Sequence, residues 1–311
     1  MTIIFESILP VFLLVILGAW LKRWDRIDNN LWNGLEQLGF YVLFPALLFS
    51  TLAKADFAGM ESGAVALSSI GAVTLMSAAI CLSWPLFRKA GISGAAFTTV
   101  FQTSTRWNGF MALAIAEKLY GAQSLVLIAL VMTLIIIPIN FYNIGVLIWF
   151  AGGTRNFKSF AVKIVGNPLI ISALLGILVN LSGIRLYAPL MQTIDLIAVT
   201  SLSFGLILVG AGLRIRDALK PSGLAMMPVV LKLVLMPLIM TGAALVLGMR
   251  GEALLTVALG ASVPTAMNGY ILAKQMGGDA PLYAAVATVQ TALSFFTIPV
   301  VLLVTGYVAG G

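Results

Sequence analysis

Apolar runs of about 20 residues, separated by short polar breaks, follow one another along the whole chain, a length matched to the roughly 30 Å hydrocarbon core of a bilayer. They predict ten spans: 3–21, 31–52, 64–87, 95–119 and 124–150, then 160–181, 191–213, 224–249, 253–276 and 280–307. In the sixth, Asn167-Pro168 either caps a helix that starts there or kinks one that begins near Phe160. The expected fold is an all-α polytopic membrane protein with ten transmembrane helices.

Two spans are interrupted. The ninth contains Pro264, Asn268 and Gly269 within GASVPTAMNGYILAKQMGG (260–278), and the fourth contains Arg106-Trp107-Asn108-Gly109-Phe110. Proline removes a helix hydrogen bond, glycine costs about 1 kcal/mol against alanine in a helix interior, and a buried Asn amide needs partners that lipid lacks. Both spans are therefore expected to be broken helices held by protein.

The halves carry matching landmarks. Pro10 and Gly18 recur as Pro168 and Gly176, displaced by 158 residues; Phe44 recurs as Phe204 and Asn108-Gly109-Phe110 as Asn268-Gly269-Tyr270, displaced by 160; Pro138 recurs as Pro299, displaced by 161. Five spans per half force the second half to enter the membrane upside down, the inverted-repeat plan of secondary transporters. The expected units are a first repeat over 1–150, a short basic joint over 151–159 and a second repeat over 160–311.

Composition agrees: 60% of the 311 residues are hydrophobic and 9% charged, more apolar material than a soluble core of this size buries. The first nine residues lack Lys and Arg, so the first span reads as retained rather than as a signal peptide. A net charge of +7 would suit nucleic acid in a soluble protein, but here the basic residues sit in short loops, and no nucleic-acid partner is expected. Odd-numbered loops hold Lys22, Arg23, Arg26, Arg88, Lys89, Arg155, Lys158, Lys163, Arg214, Arg216, Lys220 and Lys274; even-numbered loops hold Lys54, Lys118, Arg185 and Arg250. The positive-inside rule then puts both termini on the non-cytoplasmic side. Cys81 is the lone cysteine, which excludes an internal disulfide framework, and the chain has no histidine, which excludes His-dependent triads and His-ligated metal sites. Neither an enzyme nor a cofactor is expected.

The remaining two basic residues, Arg106 and Lys232, fall inside spans, about 12 to 16 Å deep at 1.5 Å per residue. A charge at that depth normally faces a cavity or a partner. It either neutralises an anionic substrate or pairs structurally with Glu36 or Asp195. At each break, the N-terminus of the second half-helix attracts an anion, the amides of Asn108 and Asn268 both donate and accept, and the inverted repeat is expected to set Asn268 opposite Asn108 across a pseudo-twofold axis. Gly109 and Gly269 otherwise serve close helix packing. Thr133, Asn140 and Asn143, like Gln290, Ser294 and Thr297, recur on one helical face; with Gln102, Thr103, Thr105, Ser262 and Thr265 they form a candidate polar lining. The candidate substrate-binding set is Arg106, Asn108, Gly109, Asn140, Lys232, Pro264, Asn268, Gly269 and Gln290, with no metal site.

The runs from Asn167 (NPLIISALLGILVNLSGI), Leu202 (LSFGLILVGAGL), Leu231 (LKLVLMPL) and Val263 (VPTAMNGYILAKQMGGDAPLYAAVATVQTALSFFTIPV) resemble the auxin efflux carrier family, particularly its bacterial branch of organic-acid and malonate carriers. FPALLF from Phe44 and RWNGF from Arg106 extend the likeness to the first half. The resemblance implies a scaffold of spans 1, 2, 6 and 7 and a transport unit of spans 3–5 and 8–10 that slides elevator-fashion in a bacterial plasma (inner) membrane. The expected function is secondary active transport of a small organic anion, a carboxylate, bound near the midplane between the fourth and ninth spans, where Arg106, Lys232 and the half-helix N-termini supply positive potential; H+ or Na+ is the candidate coupling ion and a homodimer the candidate assembly. Plant members carry Asn-Pro at both crossings, whereas Gly follows Asn108 and Asn268 here, so auxin itself is not carried over. Within transport, the alternative is a sodium-coupled symporter of the bile-acid type or a cation antiporter; outside it, an intramembrane hydrolase using Ser-Lys chemistry around Lys232, or a receptor.

Overall fold

The computed structural model describes residues 2–57, 62–152, 166–184, 186–218 and 223–309. The described residues are helical, with no strand among them. The first half comprises α1 (Thr2–Leu21), α2 (Asn29–Leu38 running through a π-helical turn, Gly39–Leu43, into Phe44–Ala53), α3 (Ser62–Leu82), α4 (Trp84–Lys89), α5 (Gly94–Thr105), α6 (Gly109–Tyr120) and α7 (Ala122–Phe150). The second comprises α8 (Pro168–Ser182), α9 (Ala188–Gly212), α10 (Ile215–Ala218), α11 (Gly223–Val230 through a π-helical turn, Leu231–Leu235, into Met236–Val246), α12 (Gly251–Ser262), α13 (Asn268–Met276) and α14 (Ala280–Ala309). Among the described residues, seven stretches are helices long and apolar enough to cross a membrane: α1, α2, α3 with α4, α7, α9, α11 and α14. The predicted fourth and ninth spans are each two short helices, and the sixth is the 15-residue α8.

The sixth span resolves in favour of a cap. Asn167 leaves the helical region (φ −71°, ψ 118°) and its side chain accepts the Leu169 N–H at 2.9 Å, with Pro168 at the first helical position, where its missing N–H has no partner to lose. The predicted start at Phe160, the joint beyond Gly152 and the loop cations Arg155, Lys158, Lys163, Arg185 and Lys220 lie outside the described residues.

Both π-helical turns have the same cause. Pro45 and Pro237 cannot donate to the carbonyl four residues back, and in each helix the preceding amide reaches five back instead: Phe44 N–H to Gly39 O and Met236 N–H to Leu231 O. In α11 the widened turn contains Lys232, which is 1% exposed.

Lipid is as apolar as leucine, so helices associate here through close packing rather than water exclusion. Large apolar side chains such as Leu82, Trp149, Leu196 and Val246 accordingly point outward. Backbones meet at glycines: Gly18 of α1 lies against Ile207 O of α9, and Gly176 of α8 against Phe49 O of α2. Each contact maps onto the other by a shift of 158 residues, since Gly18 answers to Gly176 and Phe49 to Ile207. One buried cluster joins α1, α2, α8 and α9 to α6 through Ile8, Leu48, Ala173, Leu206 and Met111; another joins α3, α5, α7, α11 and α12 through Met76, Phe101, Val131, Met240 and Val257. Phe44 of α2 stacks on Phe110 of α6 within the first cluster, ring centroids 3.7 Å apart, and Trp107 packs against both clusters.

At the edge of α9, Asp195 pairs with Lys54 at 2.5 Å and accepts from Ser50 Oγ at 2.6 Å. The pair is solvent-exposed, so Lys54→Met is expected to change stability by less than about 1 kcal/mol, read as a small shift in the melting temperature of the detergent-solubilised protein.

Candidate functional site

Along α5, Thr98, Thr103, Ser104 and Thr105 satisfy their hydroxyls on carbonyls three or four residues back, so a polar run is buried in a single helix. The helix stops when Arg106 turns extended (ψ 156°). Asn108 restarts it as the N-cap of α6: its Oδ1 accepts the Met111 N–H at 3.3 Å while its own N–H donates to Pro264 O at 2.7 Å. The two interruptions are thus joined backbone to backbone, and Gly109 lets the restarted helix pass close to Met132.

In the ninth span α12 ends at Ser262 and Val263 is extended (ψ 151°). Pro264 has no N–H, and the Thr265 N–H, which a continuing helix would give to Ala261 O, goes instead to Gln290 Oε1 at 2.9 Å. Ala261 O accepts from Lys232 Nζ at 2.9 Å. Gln290 then donates Nε2 to Thr103 O at 3.0 Å and Pro228 O at 2.9 Å, so one fully buried amide ties α14 to α5, α11 and the ninth-span break. Tyr283 completes the fastening: its hydroxyl donates to Ala266 O at 2.7 Å and lies 3.1 Å from Thr265 Oγ1, with its ring against Gly269.

The sequence twins Asn108 and Asn268 differ in setting. Asn108 is buried and caps its helix; Asn268 is the first residue of α13, exposed, and its side chain makes no hydrogen bond among the described residues. What faces the fourth-span break at hydrogen-bonding distance is Pro264, not Asn268.

Arg106 is 7% exposed. Its Nη2 donates to Asn140 Oδ1 at 3.3 Å, and its buried Nε has no partner. One turn earlier on α5, Gln102 is buried with both amide atoms unpaired. Unpaired buried polar atoms are uncommon and here two such residues share one helix face. Neither Arg106 nor Lys232 pairs with a described carboxylate: Asp195 is taken by Lys54, and the alternative pairing with Glu36 does not form. Of the other polar candidates, Asn143 bonds across to Thr105 at 3.4 Å, whereas Thr133 and Ser294 bond to their own helices and Thr297 Oγ1 is unpaired.

The sequence singled out Gln290 and Pro264, which meet at the junction, but not Tyr283, whose only signal is an aromatic hydroxyl in an alanine-rich helix start. Among the described residues no group of three or more His, Cys, Asp or Glu is placed to hold a metal.

Comparison with known proteins agrees with this arrangement of apolar helices. The chain is 27% identical over 298 residues, 94% of its length and 96% of the relative's, to an "Uncharacterized transporter" of Methanothermobacter thermautotrophicus. It is 25% identical over 305 residues, 94% of its length and 92% of the relative's, to a "Putative malonate transporter" of Rhizobium meliloti. The sequence profile described as membrane transport protein matches residues 3–148 and 154–302, nearly the whole chain. The chain therefore belongs to the membrane transport protein family, the auxin efflux carrier family, and is a multi-pass membrane protein.

Proposed function

We propose that this protein is a secondary active transporter of a small organic anion, a carboxylate, which binds where the interrupted fourth and ninth spans meet. The observation that carries the reading is Arg106: a buried guanidinium without a carboxylate partner, its Nε free, beside a Gln102 amide with donor and acceptor both unused. A fixed guanidinium in a low-dielectric setting favours an anion, and its planar fork suits a carboxylate. Asn140 orients Arg106, Asn108 and Gly109 present the start of α6, and the exposed amide of Asn268 with Gly269 marks the start of α13. The name of the Rhizobium relative supports a carboxylate substrate.

The topology that accompanies this reading is ten crossings in two inverted repeats, with the fourth and ninth helices broken. It is supported by the seven long helices, the two short-helix pairs and the reciprocal Gly18–Ile207 and Gly176–Phe49 contacts. Spans 1, 2, 6 and 7 act as scaffold, and the remaining spans slide against them elevator-fashion in a bacterial plasma membrane, with both termini outside.

The test is uptake of radiolabelled malonate, with acetate and succinate for comparison, into proteoliposomes. Arg106→Gln is expected to weaken apparent affinity roughly 10- to 100-fold, as loss of charge-assisted hydrogen bonds worth about 1.5–3 kcal/mol implies. Equal uptake by the correctly inserted variant and the parent sinks the assignment of Arg106.

A further inference from the structure

Lys232 is not used by the carboxylate site just described, although it is a nearly fully buried cation inside a membrane span. Its Nζ sits on Ala261 O, in the last turn of α12. The final carbonyls of a helix carry partial negative charge, and Pro264 and Gln290 deepen that here. Pro264 offers no N–H to Gly260 O, and the Thr265 N–H that would have covered Ala261 O has been drawn off by Gln290. In carriers built on interrupted helices, such a C-terminal helix end, with unwound carbonyls, is where a coupling sodium ion is coordinated. The π-helical turn of α11, forced by Pro237, places the ammonium at that end.

We infer that Lys232 is a resident cation that takes the place of a coupling sodium ion at the C-terminal end of α12, so that the protein works without sodium and removal of the ammonium opens a monovalent-cation site. The inference rests on the carrier reading for its meaning in transport, but not for its binding test. An ammonium with no described carboxylate partner, directed at a carbonyl that has lost its amide, does the electrostatic work of an ion that never leaves. It also separates this site from a sodium-coupled one: a diffusible ion would stabilise the break only when bound, whereas a tethered one holds it throughout the cycle.

The experiment compares melting temperatures of purified protein in choline, sodium and potassium chloride at equal ionic strength. The parent is expected to melt at the same temperature in all three. Lys232→Ala is expected to melt lower in choline and to recover by several degrees, saturably, as sodium or potassium is titrated in; Lys232→Met, which fills the space with an apolar chain, is expected to fall without recovering. A parent stabilised saturably by sodium overturns the inference, as does a Lys232→Ala protein indifferent to every cation. If Lys232→Ala does not fold, Lys232→Ser, whose short side chain leaves Ala261 O uncovered, is expected to retain more radioactive sodium on equilibrium dialysis than the parent, and equal retention overturns the inference. Malonate uptake forms a separate arm. A parent that carries malonate only with sodium overturns the resident-cation role and leaves the carrier reading standing; a parent that carries no carboxylate in any salt overturns the carrier reading and leaves the melting data to judge Lys232.

Discussion

Replacing Gln290 with leucine is expected to unfasten the junction of α5, α11, α12 and α14 and to abolish a cooperative melting transition near that of the parent. Three hydrogen bonds end on this one amide: from Thr265 N–H, and to Thr103 O and Pro228 O. Leucine matches the volume and supplies none of them. Side-chain hydrogen bonds within membranes average only about 0.6 kcal/mol, because groups released in the unfolded state find other partners. Here the partners have no alternative in the folded state. Thr103 O lies in the last turn of α5, and the helical acceptor of Thr265 N–H, Ala261 O, is held by Lys232. The relevant figure is then the penalty of an orphaned buried group, about 1–3 kcal/mol each, which makes the loss a large part of a typical stability. Thr291→Val is the control next door: its hydroxyl bonds only to Ala287 O of its own helix, so its loss is expected to be nearly silent. Differential scanning fluorimetry in detergent distinguishes the two, and a Gln290→Leu protein melting like Thr291→Val would show that the amide is dispensable.

How far the sequence could be read follows from which physics leaves a pattern in one dimension. Apolar runs record the thickness of the bilayer, so the long helices such as α7 and α14 lie within a few residues of their expected ends. Pro and Gly record helix ends, and helices end at Thr105 and Ser262, close to Asn108-Gly109 and to Pro264. Partner choice is not recorded. Nothing adjacent to Lys232 in the chain points to Ala261, and nothing near Asp195 points to Lys54 or Ser50 at 141 and 145 residues' remove. The expected opposition of Asn108 and Asn268 followed from symmetry in the sequence, but matching residue types do not fix hydrogen-bond partners: Asn108 donates its N–H to Pro264 O, and Asn268 opens α13 without capping it.

Alanine at Gly269 and alanine at Gly109 make the sharpest contrast that this asymmetry allows, because the two glycines occupy the same place in a repeated motif. A Cβ at Gly269 would lie 2.1 Å from the Tyr283 hydroxyl oxygen and 2.4 Å from Cζ of its ring. Tyr283 is fully buried and bonded to Ala266 O and Thr265, so neither ring nor hydroxyl can swing aside without freeing those groups. Gly269→Ala is therefore expected to be at the costly end of overpacking, about 3 kcal/mol, and to displace α13 from α14 with loss of transport. At Gly109 the nearest atom is Met132 Sδ at 2.8 Å, the flexible end of an unbranched side chain that can rotate away. Gly109→Ala is expected to melt close to the parent, the small repacking penalty being offset by alanine's better helix propensity of about 1 kcal/mol. The clash itself is checked with the double variant: in a Tyr283→Ala background, Gly269→Ala should add little, since the two residues are in contact and their effects are not additive. An undiminished penalty in that background would place the source of the glycine requirement in the α13 backbone rather than in the tyrosine.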